Sequence, residues 1–421
     1  GAGTFKELFL CLLSAILLVL SFPRSNFEFF AWFGFTPLFF AIWNKSKAKA
    51  FLLFYFTGII FWLITIYWLV HVTLVGLIVL VLYLALYFGI SGFIISHFLG
   101  LTSYFRLFLI PSIWVILEYL RSYLFTGFGW ALLGYSQYLN LPIIQIADIA
   151  GVWGVSFLVM MINVAVYKVL SIGYSVLSNE QKAKIIFKYC ILPAALLLLS
   201  LSYGFYNLHN TQYTTRNTLK VSVIQGNISQ ELKWQEYSES FILDRYIKIS
   251  QEASLDKPDL IIWPEAAAPG FLFERQDSWI FQHIFNLARD LKTNLLIGTV
   301  VKENSDYFNS ALLIDSDGKI IKRYDKLRLV PFGEYIPLKK IFGFLETVVP
   351  IGDFTKGREY TIFSLPTKFS VLICFEDLFP ELSRRFVKKG ADFLVNITND
   401  AWFKQTSAAY QHLCTCVFRA V

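Results

Sequence analysis

Apolar positions fill the first half of the chain in long stretches, roughly 5–22, 27–43, 50–72, 74–99, 105–124, 150–172 and 185–206. Each is about long enough to cross a hydrocarbon layer as a helix, which predicts a transmembrane domain over 1–208 with about seven helices. The stretch Leu8–Phe22 has the look of a secretory leader core. No small-residue cleavage site follows it, and further apolar segments come directly after, so it reads as the first membrane helix. Beyond residue 209 the pattern changes. Short β-branched or apolar runs recur at Lys220–Gln225, Asp259–Trp263, Asn294–Val301, Ser310–Asp315, Phe369–Cys374 and Asp392–Thr398. Charged stretches of helical period, such as Trp234–Ala253 and Ser278–Leu291, lie between them. That alternation predicts an α/β layered domain over 209–421.

Composition supports the division. The 421 residues are 56% hydrophobic and 16% charged, with a mean hydropathy of +0.55, a profile of integral membrane proteins. Of the 37 basic and 30 acidic residues, only 16 precede residue 209. The net charge of +7 does not call for a nucleic-acid partner, because much of the excess sits in short loops between apolar segments. The five cysteines show no disulfide spacing, and Cys11 and Cys190 lie inside apolar runs as small packing residues. Cys414-Thr-Cys416 beside His412 falls short of a zinc pattern, so no metal and no cofactor is expected.

The same loop charges set an orientation. Lys6 precedes the first stretch, Lys45, Lys47 and Lys49 lie between the second and third, Arg106 at the fourth-to-fifth connection, and Lys182, Lys184 and Lys188 between the last two. The alternate connections are poorer in Lys and Arg, with Arg24 and Arg121 as exceptions. An odd number of spans from a cytoplasmic N-terminus then places 209–421 outside the cytoplasm, facing the periplasm if the membrane is a Gram-negative inner membrane. Glu118 and Arg121 stand three apart on one predicted helix face, and the expectation there is a structural ion pair locking the bundle. The loop Thr126–Gln137, rich in glycine and aromatics, falls on the outer side.

Candidate chemistry gathers at the ends of the short runs. Cys374 closes Phe369-Ser-Val-Leu-Ile-Cys374, Glu265 follows Ile262-Trp-Pro, and Lys326 stands in Tyr324-Asp-Lys326-Leu-Arg-Leu-Val-Pro-Phe-Gly-Glu334. In α/β domains reactive groups collect at strand ends. A thiol is nucleophilic only as thiolate and needs a base or a positive charge beside it. A glutamate base and a lysine that stabilises a tetrahedral oxyanion fit these three residues.

Trp263-Pro-Glu265, Lys326 with Pro331-Phe-Gly-Glu334, and Cys374-Phe-Glu376 resemble, in that order, the Glu-Lys-Cys triad of the nitrilase superfamily. Further motifs are more specific: Val223-Ile-Gln-Gly-Asn-Ile-Ser-Gln-Glu-Leu-Lys-Trp234, Tyr307-Phe-Asn309-Ser, Asn399-Asp-Ala-Trp402-Phe with Gln411-His412, and Gln145-Ile-Ala-Asp-Ile-Ala-Gly-Val-Trp-Gly-Val-Ser-Phe-Leu158. Together they resemble the apolipoprotein N-acyltransferase family, membrane-embedded members of that superfamily. Ser229 and Gly129 depart from it by standing where the family commonly has proline. The chain also ends at Arg419-Ala-Val421 where the family continues through closing strands and a last membrane helix, so reduced stability and activity are expected of it.

The resemblance implies a multi-pass helical membrane domain joined to an αββα sandwich. It implies a ping-pong transfer in which Glu265 takes the proton of Cys374, the thiolate takes an acyl chain from a phospholipid, typically phosphatidylethanolamine, and Lys326 holds the oxyanion. The acceptor is the α-amino group of a diacylglyceryl-cysteine at the N-terminus of an apolipoprotein. Glu334, Glu376 and Asn309 would support the triad. Trp234 and Trp402 read either as aromatics on mobile loops at the substrate mouth or as core tryptophans. The apolar stretch Ile341–Pro350 reads either as a lid dipping into the outer leaflet or as a buried segment. Two competing functions stay open on sequence: a membrane-anchored nitrilase-type amidase with water as acceptor, and a non-enzymatic remnant.

Overall fold

The computed structural model describes residues 2–99, 104–173, 178–210, 218–233, 235–274, 278–336 and 353–421. The chain divides into two compact units, Gly1–Gln212 with Phe403–Val421, and Tyr213–Trp402. The pattern of the sequence left Phe403–Val421 with the second unit, whereas it packs into the first.

The first unit is helical: α1 Ala2–Leu20, α2 Thr36–Ala41, α3 Lys47–Thr65, α4 Leu74–Leu99, α5 Arg106–Tyr123, α6 Leu141–Ile144, α7 Ala147–Ile172 and α8 Asn179–Asn210. Among the described residues, five helices are long and apolar enough to cross a membrane, within α1 and along α3, α4, α7 and α8. Two of the seven expected stretches are not among these five, for different reasons. The apolar stretch 27–43 is a 3-10 turn, Glu28–Trp32, followed by the short α2 with Pro37 at its start. Its freed main chain is satisfied by a distant side chain. Asn163 Oδ1 accepts from Phe35 N at 2.8 Å, and Asn163 Nδ2 donates to Ala31 O at 2.8 Å. Broken helices within apolar surroundings require such partners. Helix α5 is long enough, but it buries Arg106, Glu118 and Arg121, which lowers its apolar character.

Glu118 and Arg121 form no ion pair with each other among the described residues. Each instead holds the glycine-rich loop that follows α5. Glu118 Oε1 accepts from Leu133 N at 2.6 Å, and Arg121 Nη1 donates to Phe128 O and Trp130 O, both at 2.8 Å. The Arg121 guanidinium also lies 4.8 Å from the centre of the Trp62 ring. The terminal helix Ala408–Arg419 is fixed to this unit by one buried carboxamide. Gln411 Oε1 accepts from the indoles of Trp68 and Trp130 at 3.0 and 2.8 Å, and its Nε2 donates to Thr65 O at 3.0 Å. That network explains why the segment groups with the helices.

The second unit contains β1 Val221–Val223, α9 Gln230–Lys233, α10 Glu239–Ser254, β2 Leu260–Ile262, β3 Phe271–Leu272, α11 Ser278–Leu291, β4 Asn294–Glu303, β5 Asp306–Ile314, β6 Ile320–Asp325, β7 Phe363–Ser364, β8 Lys368–Ile373, the helix Pro380–Lys388 and β9 Phe393–Ile397. One sheet runs β1-β2-β4-β5-β6 with β3 paired to β4, and the other runs β7-β8-β9. Strands β1, β2 and β4 are parallel, and β5 and β6 turn back antiparallel. Helices α10 and α11 cover the larger sheet: Ile242, Leu243, Tyr246, Ile280, Phe281 and Ile284 pack on Ile261, Trp263, Leu295, Ile297 and Leu312. Phe386 of the helix Pro380–Lys388 lies edge-on to Tyr324 of β6, 5.7 Å between ring centres. Helices therefore flank the larger sheet, in keeping with the αββα layering that the resemblance implies.

Candidate active site

Glu265 is set in place by what precedes and faces it. Trp263 is fully buried, stacks on Tyr246 at 4.9 Å and donates its indole N–H to Ser250 Oγ at 2.9 Å. The chain turns sharply after it, with Ala266 at φ 44, and Ala267 N donates to Gly298 O at 2.8 Å. A Cβ on Gly298 would lie 2.2 Å from Pro264 O and 2.7 Å from Glu265 Cα, so only glycine lets β4 run this close to the turn.

Lys326 follows β6 and is buried, 1% exposed. Its main chain is pinned from both sides, Lys326 N donating to Asn309 O and Gly357 N to Lys326 O, each at 2.9 Å. Its ammonium lies 2.9 Å from Glu334 Oε1 and 3.4 Å from Glu265 Oε1. Burial alone would lower the pKa of this lysine, but the charges of Glu334, Glu265 and Cys374 outweigh it and raise the pKa. Lys326 is thus held as a cation. Asn309 Nδ2 donates to Glu265 Oε1 and to Glu334 Oε1, both at 2.8 Å, which keeps the two carboxylates apart. Asn399 N donates to Glu265 Oε2 at 3.0 Å, and Val330 N to Glu334 Oε2 at 2.7 Å.

Cys374 sits directly after β8 with φ 53, a left-handed posture that costs a non-glycine residue energy and marks a constrained turn. It is half-buried and opens the 3-10 turn Cys374–Leu378. Glu376, fully buried two residues on, accepts from Ile373 N at 2.8 Å, Leu327 N at 2.6 Å, Arg328 N at 3.0 Å and Tyr324 Oη at 2.8 Å. Burial pushes its pKa up to about 7, against the N–H of Ile373, the charge of Lys326 and the Tyr324 hydroxyl. Glu376 ties the cysteine turn to the lysine loop.

The structure therefore brings Glu265, Lys326, Asn309 and Glu334 into one buried, hydrogen-bonded cluster. Cys374 acts electrostatically on Lys326, and Glu376 lies underneath. An acid, a cation and a thiol so arranged can deprotonate the thiol, stabilise an oxyanion and carry an acyl group as a thioester.

Residues 14–165 match the family model for the apolipoprotein N-acyltransferase N-terminal domain, and residues 220–421 match that for carbon-nitrogen hydrolases. The chain is 40% identical to an apolipoprotein N-acyltransferase of Geobacter metallireducens, covering 99% of this chain and 82% of that protein. It is 31% identical to the enzyme of that name from Pasteurella multocida and 30% to that from Haemophilus influenzae, covering 81% and 80% of them and 98% of this chain. The chain belongs to the apolipoprotein N-acyltransferase family. Among solved structures, an amidase from Nesterenkonia sp. is similar over 44% of this chain and 65% of its own, with 18% identity and a TM-score of 0.33.

Within this acyltransferase fold, the remaining candidates fall differently. Trp402 is 47% exposed on the 3-10 turn Asp400–Phe403, so it is no core tryptophan. Trp234 and the stretch 341–350 lie outside the described residues. Three contributors went unassigned in the sequence: the Asn399 main chain, the Tyr324 hydroxyl and Lys233, whose Nζ donates to Glu265 O at 3.1 Å. All three stand inside quoted motifs, which was the available signal. Their partners are remote in sequence, which is why local pattern did not reveal them.

Proposed function

We propose that this protein acylates the N-terminus of apolipoproteins through a thioester on Cys374. In the first half-reaction the Cys374 proton passes to Glu265. The sulfur attacks the ester carbonyl of a phospholipid such as phosphatidylethanolamine, and Lys326 holds the oxyanion. The lysophospholipid leaves with the proton from Glu265. In the second, the α-amine of a diacylglyceryl-cysteine attacks the thioester, Glu265 accepts the amine proton, and the departing thiolate recovers it. Glu334 and Asn309 hold Lys326 and Glu265 in register, and Glu376 keeps the cysteine turn against the lysine loop. Family membership together with the buried Glu265–Lys326–Glu334 cluster carries this reading. The apolar helices make the protein a membrane protein, and the distribution of loop lysines supports an orientation with Tyr213–Trp402 on the periplasmic side of an inner membrane.

Incubation with a phospholipid radiolabelled in its acyl chain tests the proposal. The protein should acquire a hydroxylamine-labile label that Cys374→Ala lacks and that a diacylated lipopeptide removes. A label that survives Cys374→Ala would overturn the assignment.

A further inference from the structure

Carboxylates outnumber ammonium groups around Lys326 and Cys374. Lys326 is shared between Glu334 at 2.9 Å and Glu265 at 3.4 Å, so its single charge faces two carboxylates. The carboxylate of Asp400, at the start of the 3-10 turn after β9, lies within 4.8 Å of Cys374 Sγ. A negative charge beside a thiol disfavours the thiolate, and a positive charge favours it. Within the second unit, the charged groups gathered around Lys326 and Cys374 come from several elements. Glu265 follows β2, Lys326 and Glu334 follow β6, Glu376 lies on the cysteine's own turn, and Asp400 follows β9.

Lys233, the last residue of α9, is the cation that no carboxylate claims. It is half-buried and forms no ion pair among the described residues; its hydrogen-bond partner is the main-chain oxygen of Glu265, at 3.1 Å. The short helix that carries it is fixed to the site at its other end, where Gln230 Oε1 accepts from Asn399 Nδ2 at 3.2 Å. The neighbouring Asn399 N–H holds the carboxylate of Glu265. Lys233 therefore grips the main chain of the base while Asn399 grips its side chain. Burial lowers the Lys233 pKa to about 8, opposed by the charges of Glu265 and Cys374, so it remains largely protonated at neutral pH and lies within their field.

We infer that Lys233 is a positioning residue of this site: its ammonium anchors the main chain of Glu265 and supplies the positive charge that lets Cys374 ionise. The inference rests on Cys374 being the nucleophile. Its role differs from that of Lys326, whose charge is compensated in the resting site and becomes useful when an oxyanion forms.

The rate of Cys374 alkylation by iodoacetamide at neutral pH, followed by peptide mass spectrometry on the intact protein in detergent, reads the thiolate population directly. Lys233→Met and Lys233→Gln should each slow labelling of Cys374 about tenfold, the effect of raising a thiol pKa by about one unit. Lys233→Arg keeps the charge and should stay within about twofold of the native rate. The other four cysteines should label as before. Unfolding cannot mimic this result, because it would speed labelling at all five cysteines. If the neutral variants do unfold, Lys233→Arg decides: a native-like rate upholds the role of charge, and a tenfold loss in the folded variant overturns it. Native-rate labelling of Cys374 in folded Lys233→Met would overturn the inference outright. If Cys374 of the native protein labels no faster than its other cysteines, the nucleophile reading fails first and takes this inference with it.

Discussion

Glu376 Oε1 accepts the main-chain N–H of Leu327 at 2.6 Å, which couples the turn bearing Cys374 to the loop bearing Lys326. Neither loop can shift without loosening the other. The coupling is buried, and the pKa of its carboxyl is pushed up to about 7 from an ordinary 4.5. Between these two values the folded protein binds more protons at this position than the unfolded chain. Its contribution to stability is therefore full below about pH 4.5 and declines as pH rises to about 7. The loss of melting temperature caused by Glu376→Gln should accordingly be larger at pH 5 than at pH 7.5. The opposite trend would mean that its N–H donors keep the carboxylate ionised even at pH 5.

Glu265→Gln and Lys326→Ala are expected to abolish formation of the acyl-enzyme and not only its resolution. In the proposed mechanism both residues act before the lysophospholipid leaves, and losing one oxyanion donor costs on the order of 10²–10³ in rate. Quenched-flow measurement of labelled thioester would show this as a missing burst. A normal burst in either variant would remove that residue from the first step.

Asn309 donates to Glu265 and to Glu334 at the same time, both at 2.8 Å. Asn309→Leu preserves bulk but removes the donor that two buried carboxylates share, leaving them to Lys326, Asn399 N and Val330 N, and a hydrogen bond to a charged group is worth about 1.5–3 kcal/mol. Acyl-enzyme formation should fall by at least about tenfold with little change in the donor concentration needed for half-maximal rate. An effect confined to that concentration would instead place Asn309 in donor binding.

Gly298→Ala carries no charge change and lies outside the triad. Its methyl group would meet Pro264 O at 2.2 Å and must push the turn that carries Glu265. A fall in acyl transfer of at least about tenfold in a protein that still folds is expected, because small misplacements of a reacting group are costly. Full activity would show that this turn yields without moving the base.

Orientation can be tested without reference to chemistry. Alkaline phosphatase fused after His209 should be active, and a fusion within 45–49 inactive, if the loop lysines set the topology. The reverse pattern would turn the second unit toward the cytoplasm, away from lipoprotein substrates.

Much of this architecture could be read from local pattern. Runs such as Asn294–Val301 and Phe369–Cys374 became β4 and β8 because apolar β-formers dominate them. Glu265 and Cys374 stand at the ends of predicted runs, and the structure places them just after β2 and β8, with Lys326 after β6. Strand β6, Ile320–Asp325, has no clear signature in the sequence, because Tyr324 is its one fully buried residue, Ile320 and Ile321 are exposed, and Lys322, Arg323 and Asp325 interrupt any apolar run. The broken second stretch escaped because hydropathy registers composition. The Asn163 carboxamide that permits the break stands 128 residues from Phe35. Lys233 was unreadable for the same reason: a lysine ending a single helical turn has no signature until its partner, 32 residues on, is known.

The left-handed backbone of Cys374 has a consequence for the history of this chain. Any side chain there opposes the fold by about 1 kcal/mol, and glycine would relieve most of it, although its greater freedom in the unfolded chain returns part of the gain. Cys374→Gly should then melt no lower than Cys374→Ala despite having one carbon fewer. The fold alone does not favour a thiol at this position. If Cys374 carries the acyl group as proposed, the turn accepts that cost for the sake of the thiol, and a lineage released from acyl transfer would be free to drift there toward glycine or asparagine.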